Sequence, residues 1–433
     1  MNATALDSER LAIARLLHRF SFGPTPGQYA ALVKRGVGRT QRAVLATNPN
    51  DPGLSGLSPP LLADLGVRPP PKTPAEVVFR NALIQGNTAL VNWWLDRMAL
   101  AQYPLVERMT WFWHGHWATS IAKVEYPLSM QIQNNTLRAH ALGNFSDMAR
   151  AMVVDGALND WLDNQSNLLR APNENMAREL MELFTLGVNN YTQADVTAAA
   201  RALTGYSVVR SNGTVTFSSN RHDASTLTVL GSSGPLDGPG LATLLTAQST
   251  NATFIANRLW FRFVSSTSAP PASLAQSFAT RDITAVVRAL VHTRAWTRAG
   301  NSLVKSPVEW FIGACRALRV QPSTLAVANL GSMLTQMGQV PFNPPNVGGW
   351  TYDEAWLNSA ALQYRLQLAQ LIVAQGSLAP LSVPAARRVA AAADWFGVAR
   401  WSTRTANVLA DSTTYPAQLA VVALCAPEYV VSQ

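Results

Sequence analysis

An apolar, helix-forming segment of this 433-residue chain holds an unusual concentration of charged side chains. Residues 173–187 read Asn-Glu-Asn-Met-Ala-Arg-Glu-Leu-Met-Glu-Leu-Phe-Thr-Leu-Gly, although only 14% of the whole chain is charged. A buried carboxylate is unfavourable unless it is paired, hydrogen-bonded or bound to a cation. Glu179 and Glu182 are three residues apart, so they share one face of a helix. These two carboxylates are therefore candidate metal ligands.

Histidines occur in two further motifs, His114-Gly115-His116 and His222-Asp223. In an extended backbone the imidazoles of His114 and His116 point to the same side and can bind one metal ion, whereas on a helix they lie about 200° apart and only one can bind. A His-Asp pair is common among the ligands of metallohydrolases. The alternative is that the histidines are hydrogen-bonded core residues and that the His-Asp pair forms a surface turn.

Together these motifs predict a metal site. Imidazole and carboxylate ligands suit a divalent or transition metal, and we expect iron, copper, manganese or zinc. The chain has no Walker or dinucleotide-binding motif, so no nucleotide cofactor is expected. The catalytic residues remain unassigned. The candidate metal ligands are His114, His116, Glu179, Glu182, His222 and Asp223.

Basic and aromatic residues are the candidate substrate ligands. Tryptophans beside the His-Gly-His motif would form a dry aromatic pocket, which favours an organic or aromatic substrate. Arginines would bind a substrate carboxylate, and the alternative is a structural network of ion pairs with the helix glutamates. The candidates are Arg138, Arg178, Arg201, Trp111, Trp113 and Trp117.

The composition excludes several classes of protein. The net charge of +9 comes mostly from scattered arginines, whereas nucleic-acid-binding proteins cluster their basic residues on one face or element. Two cysteines are too few for a disulfide scaffold, and no apolar run is long enough to span a membrane. Residues 1–10 lack the pattern of a signal peptide. The sequence therefore predicts a cytoplasmic protein, or an exported one if a leader was removed.

The pattern of apolar residues predicts a mainly α fold. Capping boxes such as Thr73-Pro-Ala-Glu76 mark helix starts along the chain. Strand-like residues on both sides of Ser211-Asn-Gly213 predict a small β-hairpin near residues 206–218. We expect a single large helical domain over residues 1–433, with a Pro/Gly/Ser-rich loop at 48–72 and a hairpin-and-loop insertion at 206–240.

Ten segments of the chain occur in an order that is typical of one protein family. They are residues 16–23, 113–116, 137–145, 173–187, 191–196, 200–205, 222–223, 305–309, 337–342 and 344–350. In these segments the chain resembles an uncharacterised bacterial family, the domain of unknown function 1800. The resemblance covers nearly the whole chain and implies one extended helical domain.

The resemblance also carries expectations about partners. Family members are often exported and are often encoded beside a protein that resembles sulfatases and alkaline phosphatases, which implies a sulfatase-like partner. Relatives commonly carry glycine and lysine shortly after the His-Asp pair, whereas this chain has Ser225 and Leu227. The missing lysine argues against a phosphate substrate.

Three functions are compatible with these features. The first is a metal-dependent enzyme, and the aromatic residues favour oxidation of an organic or aromatic substrate. The second is a metallohydrolase that resembles a phosphoesterase, for which the residue types are present without a recognisable spacing. The third is a non-enzymatic partner or assembly protein whose polar motifs are structural networks. For an enzyme, a small-molecule or peptide substrate is expected.

Overall fold

Helices make up most of the protein, as the sequence predicts. The computed structural model describes residues 3–298, 300–327 and 330–432. The longest helix has 27 residues, but no helix in these ranges is long and apolar enough to cross a membrane. The helices of the first part are α1 (Ala3–Ser21), α2 (Gln28–Val33), α3 (Val37–Leu45), α4 (Pro74–Leu100), α5 (Leu105–His116), α6 (Ile121–Val124), α7 (Pro127–His140), α8 (Phe145–Val153) and α9 (Gly156–Trp161).

The acidic segment begins with the short helix α10 (Asn175–Glu179), which continues into a π-helix at Leu180–Thr185. The sequence predicts one regular α-helix here, so the π-helix is a departure, and such turns are frequent at functional sites. The later helices are α11 (Gln193–Ala202), α12 (Gly238–Ala247), α13 (Ser249–Phe263), α14 (Ala272–Ser277), α15 (Ile283–Val291), α16 (Pro307–Leu318), α17 (Leu330–Gln336), α18 (Ser359–Gln375), α19 (Ala385–Phe396), α20 (Thr403–Asp411), α21 (Pro416–Cys425) and α22 (Pro427–Val430).

Two β-hairpins lie between α11 and α12. Strand β1 (Tyr206–Val209) pairs antiparallel with β2 (Thr214–Phe217), which confirms the predicted hairpin. Strand β3 (Leu227–Val229) pairs antiparallel with β4 (Ser232–Gly234). The predicted insertion at 206–240 contains one hairpin and a loop, so this second hairpin is an addition to it. Its strands have only three residues each, which is too short to show an alternating pattern.

A third pair of strands ties the C-terminal part of the described chain to its interior. Strand β5 (Leu303–Val304) pairs antiparallel with β6 (Val431–Ser432). The next backbone N–H, that of Lys305, donates to Val430 O at 3.0 Å. Helix α16 begins two residues later, so this strand pair fixes where α16 starts.

Two proline- and glycine-rich segments are irregular, as their composition predicts. Residues 48–72 contain a 3₁₀ turn at Pro52–Leu54 and otherwise neither helix nor strand. Residues 341–350 pass across α5, where Gly349 has a φ of 84° and a Cβ would lie 2.5 Å from Gly115 O. Glycine is needed at position 349 because the two backbones approach this closely.

Helix α5 lies between two clusters of buried apolar side chains. One cluster includes Trp113 of α5, and its other members come mainly from α1, α8, α11, α12, α13 and α15. The other cluster includes Trp111 of α5, and its other members come mainly from α4, α16, α18, α19 and α21. Every residue of α5 except Val106 is buried. Its polar side chains must therefore find their partners inside the protein.

A buried ion-pair cluster centred on Glu107 joins α5 to α4 and α7. The side chain of Glu107 is 2% exposed, and it accepts hydrogen bonds from Arg97 Nε at 2.9 Å and Arg138 Nε at 2.8 Å. Trp94 Nε1 donates a third at 3.0 Å. Burial alone raises the pKa of Glu107, but the charges of Arg138 and Arg97 outweigh this effect and lower the pKa to about 2. The carboxylate is therefore ionised at physiological pH.

We expect Glu107→Gln to lower the free energy of unfolding by about 3–5 kcal/mol near pH 7, because two arginines lose their buried counter-charge. As the pH falls from 4.5, the ordinary value for glutamate, towards 2, the wild type should lose this stabilisation. The reason is that the unfolded chain binds a proton that the folded protein does not. The variant lacks this contribution to the pH dependence. Urea unfolding at neutral and acidic pH measures both the loss of stability at neutral pH and its dependence on pH.

Asp7→Asn is the matched control. Asp7 pairs with Arg400 at 3.2 Å on the surface, where an ion pair contributes about 0–1 kcal/mol. If the loss in Glu107→Gln is no larger than the loss in this control, the cluster does not anchor α5.

Candidate functional site

Both histidines of the His-Gly-His motif lie on α5, which continues through His116. His114 Nε2 accepts a hydrogen bond from the backbone N–H of Phe342 at 3.0 Å. His116 Nε2 lies 2.9 Å from Phe184 O, in a different part of the interior. The motif therefore has the helical form, in which the two imidazoles diverge.

Both imidazoles are buried among aromatic rings. The ring centroid of His114 lies 5.1 Å from that of Trp94 and 5.5 Å from that of Trp350. Burial lowers the pKa of His114 to about 3 and the pKa of His116 well below its ordinary value. Both residues are therefore neutral at physiological pH and form part of the packed interior.

The two helical glutamates lie at the junction between α10 and the π-helix, and both are half-buried. Burial and the nearby charge of Glu182 raise the pKa of Glu179. The hydroxyl of Tyr191 donates a hydrogen bond to Glu182 Oε2. Arg178 pairs with Glu174 at 3.1 Å, one helical turn away. Glu182 therefore has a protein partner that the sequence analysis does not foresee.

The His-Asp pair follows the first hairpin and is held by α11 and by neighbouring loop residues. Arg201 Nε lies 2.6 Å from Asp223 Oδ2, and Ser225 N donates to Asp223 Oδ1 at 3.0 Å. Hydrogen bonds from Ser225 and Arg201 lower the pKa of Asp223 to about 2. His222 Nδ1 lies 3.1 Å from Thr204 O. The carboxylate is therefore already engaged in an ion pair.

The six candidate metal ligands occupy separate places in the fold. The two histidines lie on α5, the two glutamates beside the π-helix, and the His-Asp pair after β2. Across residues 3–298, 300–327 and 330–432, no three His, Cys, Asp or Glu side chains form a group that could hold a metal ion. The six residues do not fit one metal site in this arrangement, and a bound metal stays a prediction.

The candidate substrate ligands are also dispersed. Arg138 belongs to the ion-pair cluster around Glu107. Trp113 and Trp117 pack in the cluster of apolar residues on one side of α5. Trp111 faces the other side, where it lines a cavity.

This cavity lies beside α5, where α13, the start of α16 and residues 339–356 meet. It has a volume of about 70 Å³, which is room for about five water molecules. We call it the lysine cavity. It is defined by Arg108, Trp111, Arg262, Lys305, Glu309 and Trp350.

Regular structure holds the backbone of Lys305 on both sides along the chain. Before it, β5 is paired with β6, and after it Ser306 is the N-cap of α16. Ser306 Oγ accepts from Glu309 N at 3.4 Å, and Glu309 Oε2 accepts from Ser306 N at 3.2 Å. This capping box satisfies two backbone donors at the helix start. Lys305 is therefore held between a strand and a capped helix.

The amine of Lys305 is buried and lacks a hydrogen-bonding partner. Lys305 is 4% exposed, and its Nζ makes no hydrogen bond within the part of the chain that the structure describes. Nζ lies 3.4 Å from the centroid of the Tyr429 ring. Burial lowers the pKa of Lys305 well below its ordinary value, although Glu309 opposes the shift. The nearby N-terminus of α16 also disfavours a cation.

The two arginines that border the lysine cavity differ in their partners. Arg108 pairs with Glu309 at 2.7 Å. The guanidinium carbon of Arg262 lies 4.5 Å from the centroid of the Tyr352 ring, and its Nη2 reaches Trp350 O only at 3.5 Å. Burial lowers the pKa of Arg262 to about 10, so it remains cationic. An anion in the cavity can therefore be bound by Arg262.

Lys305 is not among the site residues predicted from the motifs, although the sequence carries a signal for it. The chain has four lysines, and only this one follows an apolar pair, Leu303-Val304, and directly precedes a capping box. A cation at a helix N-terminus is electrostatically unfavourable. An unfavourable residue at a position so strongly constrained is a reason to expect a function.

Residues 15–431 match the family described as "Protein of unknown function (DUF1800)". The chain belongs to this family. The match includes the His-Gly-His motif, the acidic helix and Lys305, and it confirms the resemblance seen in the order of the motifs. No curated protein and no solved structure matches the chain.

In this member of the family, we expect His114→Ala to lower the free energy of unfolding by about 2–4 kcal/mol, because the Phe342 N–H loses its acceptor and a cavity opens among aromatic rings. The loss should be the same with and without a metal chelator, since it arises from packing. Urea unfolding with and without the chelator measures the loss of stability, and elemental analysis of the purified protein measures its metal content.

The exposed His292 provides the control. His292→Ala should change the free energy of unfolding by less than about 0.5 kcal/mol. A stoichiometric metal ion that is present in the wild type and lost in His114→Ala would contradict the packing role and support the metal site predicted from the sequence.

Proposed function

We propose that this chain is an enzyme that binds a small organic acid in the lysine cavity. The observation that carries the proposal is the buried Nζ of Lys305, which has no hydrogen-bond partner within the described residues. An unsatisfied buried polar group costs about 1–3 kcal/mol, and ionisable groups with strongly shifted pKa values are concentrated at functional sites. A bound ligand would supply the missing partner.

The charges around the lysine cavity favour an anionic ligand. Three arginine side chains line it against two carboxylates, without counting Lys305, whose neutral form is favoured by burial. Glu309 is paired with Arg108, and Asp353 accepts a hydrogen bond from the backbone N–H of Val304 at 2.8 Å. Arg262 has no ion pair in the described part of the chain. Its planar guanidinium suits a carboxylate, which it can bind with two parallel hydrogen bonds.

The lysine cavity has room for a small ligand. A space of about 70 Å³ accommodates a short carboxylic acid. Trp111 and Trp350 stack with 5.0 Å between their ring centroids and form one wall of the cavity.

The aromatic wall also supports chemistry at the amine. Packed aromatic side chains lower the effective dielectric constant, which strengthens hydrogen bonds to a ligand. The same burial favours the neutral form of Lys305. A neutral lysine can act as a base or a nucleophile, which an exposed ammonium group cannot do. These properties support an enzyme rather than a passive binding protein.

Other functions expected from the sequence stay predictions. They are the metal-dependent oxidation or hydrolysis, the sulfatase-like partner and the cytoplasmic location. A non-enzymatic assembly protein has no need of an unsatisfied buried amine beside a cavity, and for this reason we favour the enzyme.

The proposal is tested by measuring the melting temperature of the purified protein with acetate, lactate, pyruvate or succinate, using chloride as the reference anion. We expect at least one acid to raise the melting temperature in a saturable manner, because a ligand that binds only the folded state stabilises it. Lys305→Met should abolish this shift, since methionine has a similar length and lacks the amine.

Two further measurements make the result interpretable. Without ligand, Lys305→Met should melt at a higher temperature than the wild type, because it removes an unsatisfied buried amine. Lys34→Met, at an exposed lysine, should keep the response to the acid. If no acid stabilises the wild type, or if Lys305→Met responds equally, the lysine cavity is not the binding site.

A further inference from the structure

We infer that the organic acid of the proposed function carries two negative charges, and that Arg258 and Arg262 bind them together. We call these two residues the arginine pair. The inference rests on the proposed function, because it requires an acid at Arg262, but it makes no use of Lys305. It adds the class of acid, which is a dianion such as a short dicarboxylate, and a second binding residue.

Helix α13 places both arginines on one face. They are four residues apart, and such residues are neighbours on a helix surface, with about 5–6 Å between their Cβ atoms. Arg262 borders the lysine cavity, and Arg258 borders an open groove between α13 and the π-helix. A ligand held by Arg262 is therefore within one helical turn of Arg258.

Both guanidinium groups are accessible and packed against aromatic rings. Each side chain is partly exposed, and none of their nitrogens is among the side-chain atoms that are closed to solvent and lack a partner. The guanidinium carbon of Arg258 lies 5.7 Å from the centroid of the Phe254 ring, and that of Arg262 lies 4.5 Å from the centroid of the Tyr352 ring. A ring that packs on the face of a guanidinium leaves the N–H groups at its edge available to an anion.

The two arginines are close enough for each charge to act on the other. Burial lowers the pKa of both, and the charge of Arg258 lowers the pKa of Arg262 further. Tyr352 opposes the pKa shift at both arginines, which places this side chain near both. Arginine nevertheless stays protonated in proteins. Two positive charges therefore persist one turn apart, and such a pair destabilises a helix unless an anion is present.

No carboxylate in the described part of the chain neutralises the arginine pair. Arg258 makes neither a hydrogen bond nor an ion pair there, and Arg262 reaches only Trp350 O, at 3.5 Å. An acid with two negative charges would balance the pair. The carboxylates that line the cavity and the groove already have other partners, which are Arg108 for Glu309 at 2.7 Å, the backbone N–H of Val304 for Asp353 at 2.8 Å and the hydroxyl of Tyr191 for Glu182.

The arginine pair defines the class of acid by its charge and its spacing. One carboxylate can fill one guanidinium with two parallel hydrogen bonds, so a monocarboxylate at Arg262 leaves Arg258 uncompensated. A second carboxylate on a short carbon chain reaches the neighbouring arginine, because the distance to be spanned is about one helical turn. The charge count, rather than the size of the cavity, therefore selects a dicarboxylate.

Affinity measurements on the full-length protein test the inference. Titration calorimetry near neutral pH compares succinate with butyrate and malonate with propionate, at constant ionic strength because salt screens the charges. The two acids in each comparison have the same number of carbon atoms and differ by one carboxylate. We expect each diacid to bind about tenfold more tightly than its matched monoacid, since it gains one charged hydrogen-bonding partner.

Variants assign the second carboxylate to Arg258. Arg258→Gln should reduce the ratio of succinate affinity to butyrate affinity from about ten to about one, whereas Arg258→Lys keeps the charge and should retain part of the preference. Arg288→Gln is the matched control, because it removes the charge of an exposed arginine on α15, and it should keep the wild-type ratio. Without ligand, Arg258→Gln should melt no lower than the wild type, since it relieves a like-charge pair, which shows that the variant folds.

The outcomes separate this inference from the proposed function. If succinate and butyrate bind the wild type equally well, the dianion is overturned and the acid-binding site stands. If the preference for succinate persists in Arg258→Gln, or is lost equally in Arg288→Gln, Arg258 is not the second binding residue. If no acid binds, both proposals are overturned.

Discussion

Burial of helix α5 is the constraint on which the rest of the structure depends. The helix lies between two apolar clusters, so its ionisable side chains cannot be hydrated and must be satisfied within the protein. Glu107 forms ion pairs with arginines of α4 and α7, and Arg108 forms one with Glu309 of α16. His114 accepts a backbone N–H from the segment 341–350. Each pairing attaches a distant part of the chain to α5.

The lysine cavity follows from the same pairings. Glu309 pairs with Arg108 and caps α16 at Ser306, and within the described residues it makes no ion pair with Lys305. The β5–β6 pair and the helix cap prevent the backbone of Lys305 from moving away. An unsatisfied amine destabilises the folded state, and such features persist where function requires them.

Local signals were sufficient to predict much of the fold and little of the site. The capping box at Thr73 and the turn at 211–213 depend on neighbouring residues, and α4 and the first hairpin form where those signals occur. The backbone of the His-Gly-His motif depends on the burial of α5 by distant helices. The ion pair of Arg201 with Asp223 depends on how a loop returns to α11. Lys305 carries a local signal, but its significance requires the cavity.

Lys305 and Arg262 border the same cavity, and the proposed acid would satisfy both. Arg262 has no ion pair in the described part of the chain, and its guanidinium can bind a carboxylate with two parallel hydrogen bonds. The Nζ of Lys305 makes no hydrogen bond within the described residues, and burial favours its neutral form. A neutral amine can donate to a carboxylate at a smaller desolvation cost than a buried ammonium group would incur. An organic acid is therefore the kind of ligand that these two side chains would stabilise together.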